Sequence, residues 1–245
     1  MKHKYKVLSL LLLLGAGALR AQQNDLGMWN TFDVEYKLSP KFSLLGTEEF
    51  RLRENLTRVN LFYTNIGFAY RYNNHFKIAP VYRFIQKNFK DGSFGLRHRV
   101  MLDITYKTRF GVIGFSTRTR LQGEIAYPFA SDVWNVPEYY WRQKFDFKYN
   151  IPNSKFTPYA GMEFRVQFST PHIKEFRDFG FSRTRVFAGC DFEIDKHSTV
   201  GSYFLLQNDF QVNDPVTQYI IGLEYSLTLE RGSKRNRDHS NGDGE

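Results

Sequence analysis

Arginine is the residue of this chain best placed to do chemistry. It recurs as an Arg-x-Arg doublet at Arg51/Arg53, Arg97/Arg99, Arg118/Arg120 and Arg183/Arg185. Arg142/Lys144 is a near copy, and Arg165 stands alone in a similar run. A guanidinium keeps its charge at any physiological pH and offers a planar fork of donors to phosphate or carboxylate. Residues i and i+2 of an extended strand point to one face, so each doublet sets two fixed cations side by side. Two chemistries follow. The cations can pair with acids of the same phase, such as Glu49, Asp103, Glu124, Asp146 and Glu163, and form a ladder that fills and stiffens an interior. Alternatively, part of the charge is left over and attracts small anions or an anionic headgroup. Bases and acids of that phase come close to balancing, which leaves both readings open.

Acyl chemistry would need a histidine beside a serine nucleophile and an orienting acid. The candidates are poor. His98 follows Ser93 but falls on the apolar phase between Arg97 and Arg99; His172 lies near Ser169 in a long loop; His75 and His197 sit in short turns. Alternation splits Glu48 from Glu49, and Asp191/Glu193 read as a solvated rim. The single Cys190 has no partner for an intramolecular disulfide and shares an apolar phase with Ala188 and Phe192. No Cys/His metal spacing occurs, and no cofactor is expected.

The elements that must carry the doublets are strands. Around the second doublet the other face reads Leu96, Val100, Leu102, Ile104 and Tyr106. A charged face and a greasy face, repeated along the chain, describe a sheet with lipid outside and a wet interior. Period-two segments fall at 27–38, 42–53, 57–71, 76–86, 95–107, 111–124, 138–149, 155–167, 179–194, 199–210 and 217–229. Short turns alternate with longer loops, as in an outer-membrane barrel with its short turns periplasmic. The fold expected is all-β, an antiparallel up-and-down transmembrane barrel of ten to twelve strands. Eleven segments conflict with the even count of bacterial single-chain barrels. Twelve is therefore favoured over ten, with a strand missed near Gln22 to Tyr36 or within 57–71. In the latter the outward phase shifts between Leu61 and Ile66, which suggests a bulge. With the long loops outside, all the doublets are expected in the extracellular half of the lumen.

The ends fit export. Lys2, Lys4 and Lys6 precede an apolar Val7–Leu14 run and small residues, the pattern of a signal peptide over 1–21. The barrel is assigned 22–229 and a polar, disordered tail 230–245. Cleavage would remove four bases and no acid, lowering the formal charge from +9 to +5. That is too mild to argue for nucleic acid, and no nucleic-acid-binding pattern occurs. Aromatic residues make up 17% of the chain while its mean hydropathy is negative, a combination that suits a barrel with aromatic girdles better than a soluble core. Trp29, Trp134 and Trp141 are read as belt residues. The aromatic loop YPFASDVWNVP is read as a packed surface loop. The last segment, Gly222-Leu223-Glu224-Tyr225-Ser226-Leu227, fits the core of a barrel-assembly signal, apart from Ile220 at a position that is usually polar and a chain that continues beyond the strand.

On the segments LGMWNTFDVEYKL, EEFRLREN, GFAYRYNNHFKIAPVYRF, LRHRVMLDI and RTRLQGE, the chain resembles the DUF2490 family of uncharacterised outer-membrane proteins common in Bacteroidota. The resemblance covers Leu26 to Leu229. It implies an outer-membrane barrel and supplies no activity. The partners expected are outer-membrane lipid, the assembly machinery through the last strand, and small anions. The function expected is a narrow channel or binding barrel for small anionic solutes. A non-conducting barrel with a filled lumen comes second and a lipid-modifying enzyme third.

Overall fold

The computed structural model describes residues 23–89, 91–126, 137–168, 180–210 and 216–231. The segment read as a signal peptide, Trp134, His172 and the residues from 232 lie outside them. The described residues form eleven strands: β1 Gln23–Lys37, β2 Phe42–Arg53, β3 Arg58–Arg71, β4 Phe76–Asn88, β5 Phe94–Phe110, β6 Ile113–Ala126, β7 Glu138–Tyr149, β8 Phe156–Gln167, β9 Gly180–Glu193, β10 Ser198–Asp209 and β11 Val216–Glu230. Each pairs antiparallel with the next, and β1 closes the barrel on β11.

That closure corrects the count. Among the described residues, no strand is missing or merged. With eleven strands β1 and β11 run the same way, and they pair in parallel from Gln23↔Val216 to Lys37↔Glu230. A parallel ladder is only slightly weaker per residue than an antiparallel one, and closing the sheet leaves no edge exposed. One barrel end gathers the turns after β1, β3, β5, β7 and β9, and holds the end of β11. The other end, called here the loop end, gathers the longer connections and the start of β1.

The phase shift in 57–71 is a bulge. Between β2 and β3 the register steps at Arg51/Leu52, where Leu61 and Val59 find partners and Asn60 is the extra residue. Beyond it the alternation is regular. Phe62 and Ile66 are exposed on the outer face, while Tyr63, Asn65 and Ala69 are buried inside.

Inside the barrel the packing is mixed. Trp29, Phe187, Leu205 and Ile220 form one apolar cluster, with Tyr159 and Tyr203 against it. Ala69, Ala79, Val81 and Met101 form a second, with Leu45. Trp29 therefore leaves the membrane belt to which sequence assigned it, pointing inward and only 7% exposed. A cross-strand row explains the room it finds. Tyr159, Gly189, Tyr203, Gly222 and Trp29 lie in register on β8, β9, β10, β11 and β1, large beside small. A methyl group on Gly222 would overlap the Tyr203 ring, and one on Gly189 would overlap Tyr203 and Tyr159. Aromatic rings covering glycines fill a curved wall without voids.

Candidate functional site

The inward phase lines up like charges. Arg120, Arg142, Arg165 and Arg183 are direct cross-strand partners on β6 to β9, with Asp103 at one end of the row and Asp209 at the other. The next row toward the turn end reads Arg118, Lys144, Glu163, Arg185 and Gln207. Like charges placed opposite each other repel, so each arginine depends on a carboxylate in its own or a neighbouring row.

Five carboxylates serve nine guanidiniums. Asp103 takes Arg120 through two bonds, each 2.6 Å. Glu124 takes Arg97 at 2.9 Å and Arg99 Nε at 2.8 Å. Glu163 holds Arg142, Arg185 at 3.0 Å and Arg118 at 3.2 Å. Asp209 holds Arg183 and lies 3.8 Å from Arg165. Glu49 pairs with Arg51 and also accepts from Tyr63 and, at 3.0 Å, from Thr31. Glu49, Glu124 and Glu163 are all under 9% exposed, so these bonds are made away from bulk water. Nearer the rims, Arg53 reaches Glu54 at 3.4 Å and Lys144 reaches Asp146 at 2.8 Å.

Among the described residues, two chambers of the lumen meet near its middle. The one nearer the loop end has a volume of about 380 Å³ and is lined by ten basic side chains against three acids, Glu124, Glu138 and Asp209. The second, of about 310 Å³, has seven bases against four acids. Trp29, Arg51, Arg83, Arg142 and Arg185 line both chambers and form the waist between them. Arg51 lies 3.6 Å over the Trp29 ring, and Arg185 lies 5.0 Å from it. Such cation–π contacts hold the guanidiniums without neutralising them.

The doublets thus occupy two levels rather than one. Arg53, Arg97, Arg99, Arg165 and Arg183 face the loop-end chamber; Arg118, Arg120 and Lys144 face only the second. The difference comes from strand stagger, because Arg118 and Arg120 sit mid-strand in β6 rather than near its end. The near-balance of charge read over the whole lumen does not describe the loop-end chamber.

Of the cations that line these two chambers, two fall outside those singled out from the sequence, both on β4. Arg83 is 6% exposed, donates from Nε to Asn65 at 2.6 Å and stacks 3.5 Å over the Tyr63 ring. Lys87 lies two further steps toward the loop end on the same face, beyond Ile85. Neither belongs to an Arg-x-Arg doublet. The signal that would have found them is the alternation Val81, Arg83, Ile85, Lys87.

Of the histidine candidates, His98, His75 and His197 lie among the described residues and His172 does not. His98 is hydrogen-bonded through Nδ1 to the Tyr82 hydroxyl, while Ser93 turns to Asp91 at 2.7 Å. His75 and His197 bond through Nδ1 to the backbone carbonyls of Lys107 and Thr228. Glu48 faces outward and bonds Thr64 at 3.0 Å, and Asp191 faces inward to Lys148 at 2.7 Å.

Among solved structures, the chain is similar to the beta domain of the Bordetella autotransporter BrkA, with 12% identity over 76% of this chain and 83% of that one and a TM-score of 0.47. No curated protein matches. A family model described as a protein of unknown function, DUF2490, matches residues 26–218. That span takes in all but the end of the barrel wall and every arginine of the ion-pair network, and on it the chain belongs to the DUF2490 family.

Proposed function

We propose that the protein is an outer-membrane barrel whose lumen binds and passes small anions. The observation behind this reading is the loop-end chamber, with ten bases against three acids, which narrows to a waist of four guanidiniums. A ring of fixed cations favours anion entry, and weak multi-site contact lets the ion leave again. In the orientation that places loops outside and turns in the periplasm, the basic chamber opens to the exterior. An outer wall of exposed aromatics and aliphatics, among them Phe32, Phe62, Ile66 and Tyr82, suits lipid. The end of β11 then faces the periplasm, where assembly machinery would meet it.

The test is conductance of the refolded protein in a planar bilayer under a salt gradient. Steady steps with anion-selective reversal support the reading. A folded barrel that is silent or cation-selective overturns it. Silence would favour a filled, structural barrel, a second reading supported by the two internal apolar clusters and the bridging acids.

A further inference from the structure

The carboxylates of the basic chamber are all engaged. Glu124 is held by Arg97 and Arg99, Asp209 by Arg183, and Glu138 by the Tyr140 hydroxyl. Glu49 and Glu163 reach up to Arg51, Arg142 and Arg185 at the waist. Among the described residues, Arg83 and Lys87 have no carboxylate within ion-pair distance.

These two share one strand and one face. Four residues of strand place them roughly 13 Å apart along the barrel wall. Only Ile85, 3% exposed, lies between them on that face. Lys87 lines the loop-end chamber alone, and Arg83 lines both chambers.

Arg83 is also held in a particular pose. Its Nε is tied to Asn65 and its Cζ lies 3.5 Å over the Tyr63 ring. The opposite edge, Nη1 and Nη2, makes no hydrogen bond within the described residues. A guanidinium fixed in this way presents two parallel donors at the spacing of two oxygens on one carbon or phosphorus. A spherical halide cannot use both equally well.

We infer that β4 is an oxyanion track, in which Lys87 collects the anion and the open edge of Arg83 grips a phosphate or carboxylate group at the waist. This rests on the reading of the lumen as an anion path, and it names the ligand class and the two residues that select it. Lys87, a mobile point charge, sets capture; Arg83, a fixed fork, sets identity.

Isothermal titration calorimetry of the refolded barrel in uncharged detergent micelles tests this without requiring conduction. Inorganic phosphate, acetate and chloride are titrated separately. Saturable binding of phosphate or acetate is expected, at least about tenfold tighter than chloride, and the tighter of the two assigns the group. Arg83→Lys keeps the charge but loses the fork, and is expected to weaken oxyanion binding about tenfold. Asn65→Ala keeps the arginine but frees its pose, and is expected to weaken binding several-fold; it serves if the first variant fails to fold. Lys87→Gln is expected to weaken binding at low salt and to have little effect at high salt. No saturable oxyanion binding by the wild type, or Arg83→Lys and Asn65→Ala both binding as wild type, would overturn the track. Binding in micelles by a barrel silent in bilayers would keep the site and remove the channel. Anion conduction without oxyanion selectivity would do the reverse.

Discussion

Oε1 of Glu163 accepts from two arginines at once, from Arg142 Nε at 3.2 Å and from Arg185 Nη1 at 3.0 Å. Its other oxygen takes Arg118 at 3.2 Å. One carboxylate thus holds three cations contributed by β6, β7 and β9, and it is 5% exposed.

Glu163→Gln removes the charge and keeps the shape. Arg142 and Arg185 would then lose their carboxylate, and Arg118 would keep only Asp103, 3.9 Å away. Breaking one side of a buried ion network costs about 3–5 kcal/mol, and a loss of that order is expected. Urea unfolding of the refolded barrel in vesicles measures it. A loss below about 1 kcal/mol would mean that water in the second chamber already screens these charges.

The strands were legible because each carries a period of two with opposite chemistries on its two faces. The boundaries of β2 and β7 match the alternating segments, and the doublets fall on the inner face. Three features lay outside that pattern. The pairing of β1 with β11 depends on how the sheet closes, and alternation says nothing about closure. Trp29 was read by residue type, although its inward place follows from its phase with Thr31 and Asp33 and from the space above Gly222. Arg83 and Lys87 stand outside the doublets that mark the other lumenal arginines. Their importance rests on which carboxylates other arginines already occupy, and that is a property of the closed barrel.

Gly222 has a steric role beside the role in an assembly signal that is proposed for the last strand. A methyl there overlaps the Tyr203 ring. Gly222→Ala should destabilise the barrel by about 1–3 kcal/mol, as overpacking does. Refolding from urea into micelles needs no assembly machinery. A defect seen there and relieved by Tyr203→Ala in a double-mutant cycle would establish the steric role. A variant that refolds normally in vitro but fails to assemble in cells would show that the glycine serves recognition instead.

Deleting Asn60 should be tolerated. Removing a residue from a regular strand flips every side chain on one side of the cut. Asn60 is the unpaired residue of a bulge, and without it Arg58, Val59, Leu61 and Phe62 alternate in the phases they already have. The deletion is expected to cost about 1 kcal/mol or less, whereas deleting Ile66 from the regular part of β3 should prevent refolding. Heat-modified mobility on gels distinguishes the two.

The β9–β10 turn supplies a dependence on pH. Asp195 accepts from the backbone N–H of His197 at 2.7 Å and of Ser198 at 2.9 Å. The His197 N–H is foremost in holding its carboxyl below the usual range. A depressed pKa contributes stability above the unfolded value of about 3.9, and that contribution is lost as pH falls through the folded value. The difference in Tm between wild type and Asp195→Ala should therefore be present at pH 7 and shrink below about pH 4. A difference that is constant across this range would assign the turn's stability to shape rather than charge.

Conduction and scaffolding separate most cleanly by comparing two cations that differ in their partners. Arg120 is 7% exposed and doubly bonded to Asp103. Arg120→Glu would set two carboxylates together inside the wall, and is expected to cost about 3 kcal/mol or more. Lys87 faces the loop-end chamber and has no carboxylate within ion-pair distance among the described residues. Lys87→Glu should therefore leave Tm within about 2 °C of wild type, since no native pair is broken. In a bilayer under a salt gradient, the same change should move the reversal potential toward cations. If Lys87→Glu folds normally and neither it nor wild type passes current, the surplus charge of the chamber serves binding rather than flow. If Lys87→Glu conducts with unchanged selectivity, the selective step lies below Lys87, at the guanidiniums of the waist.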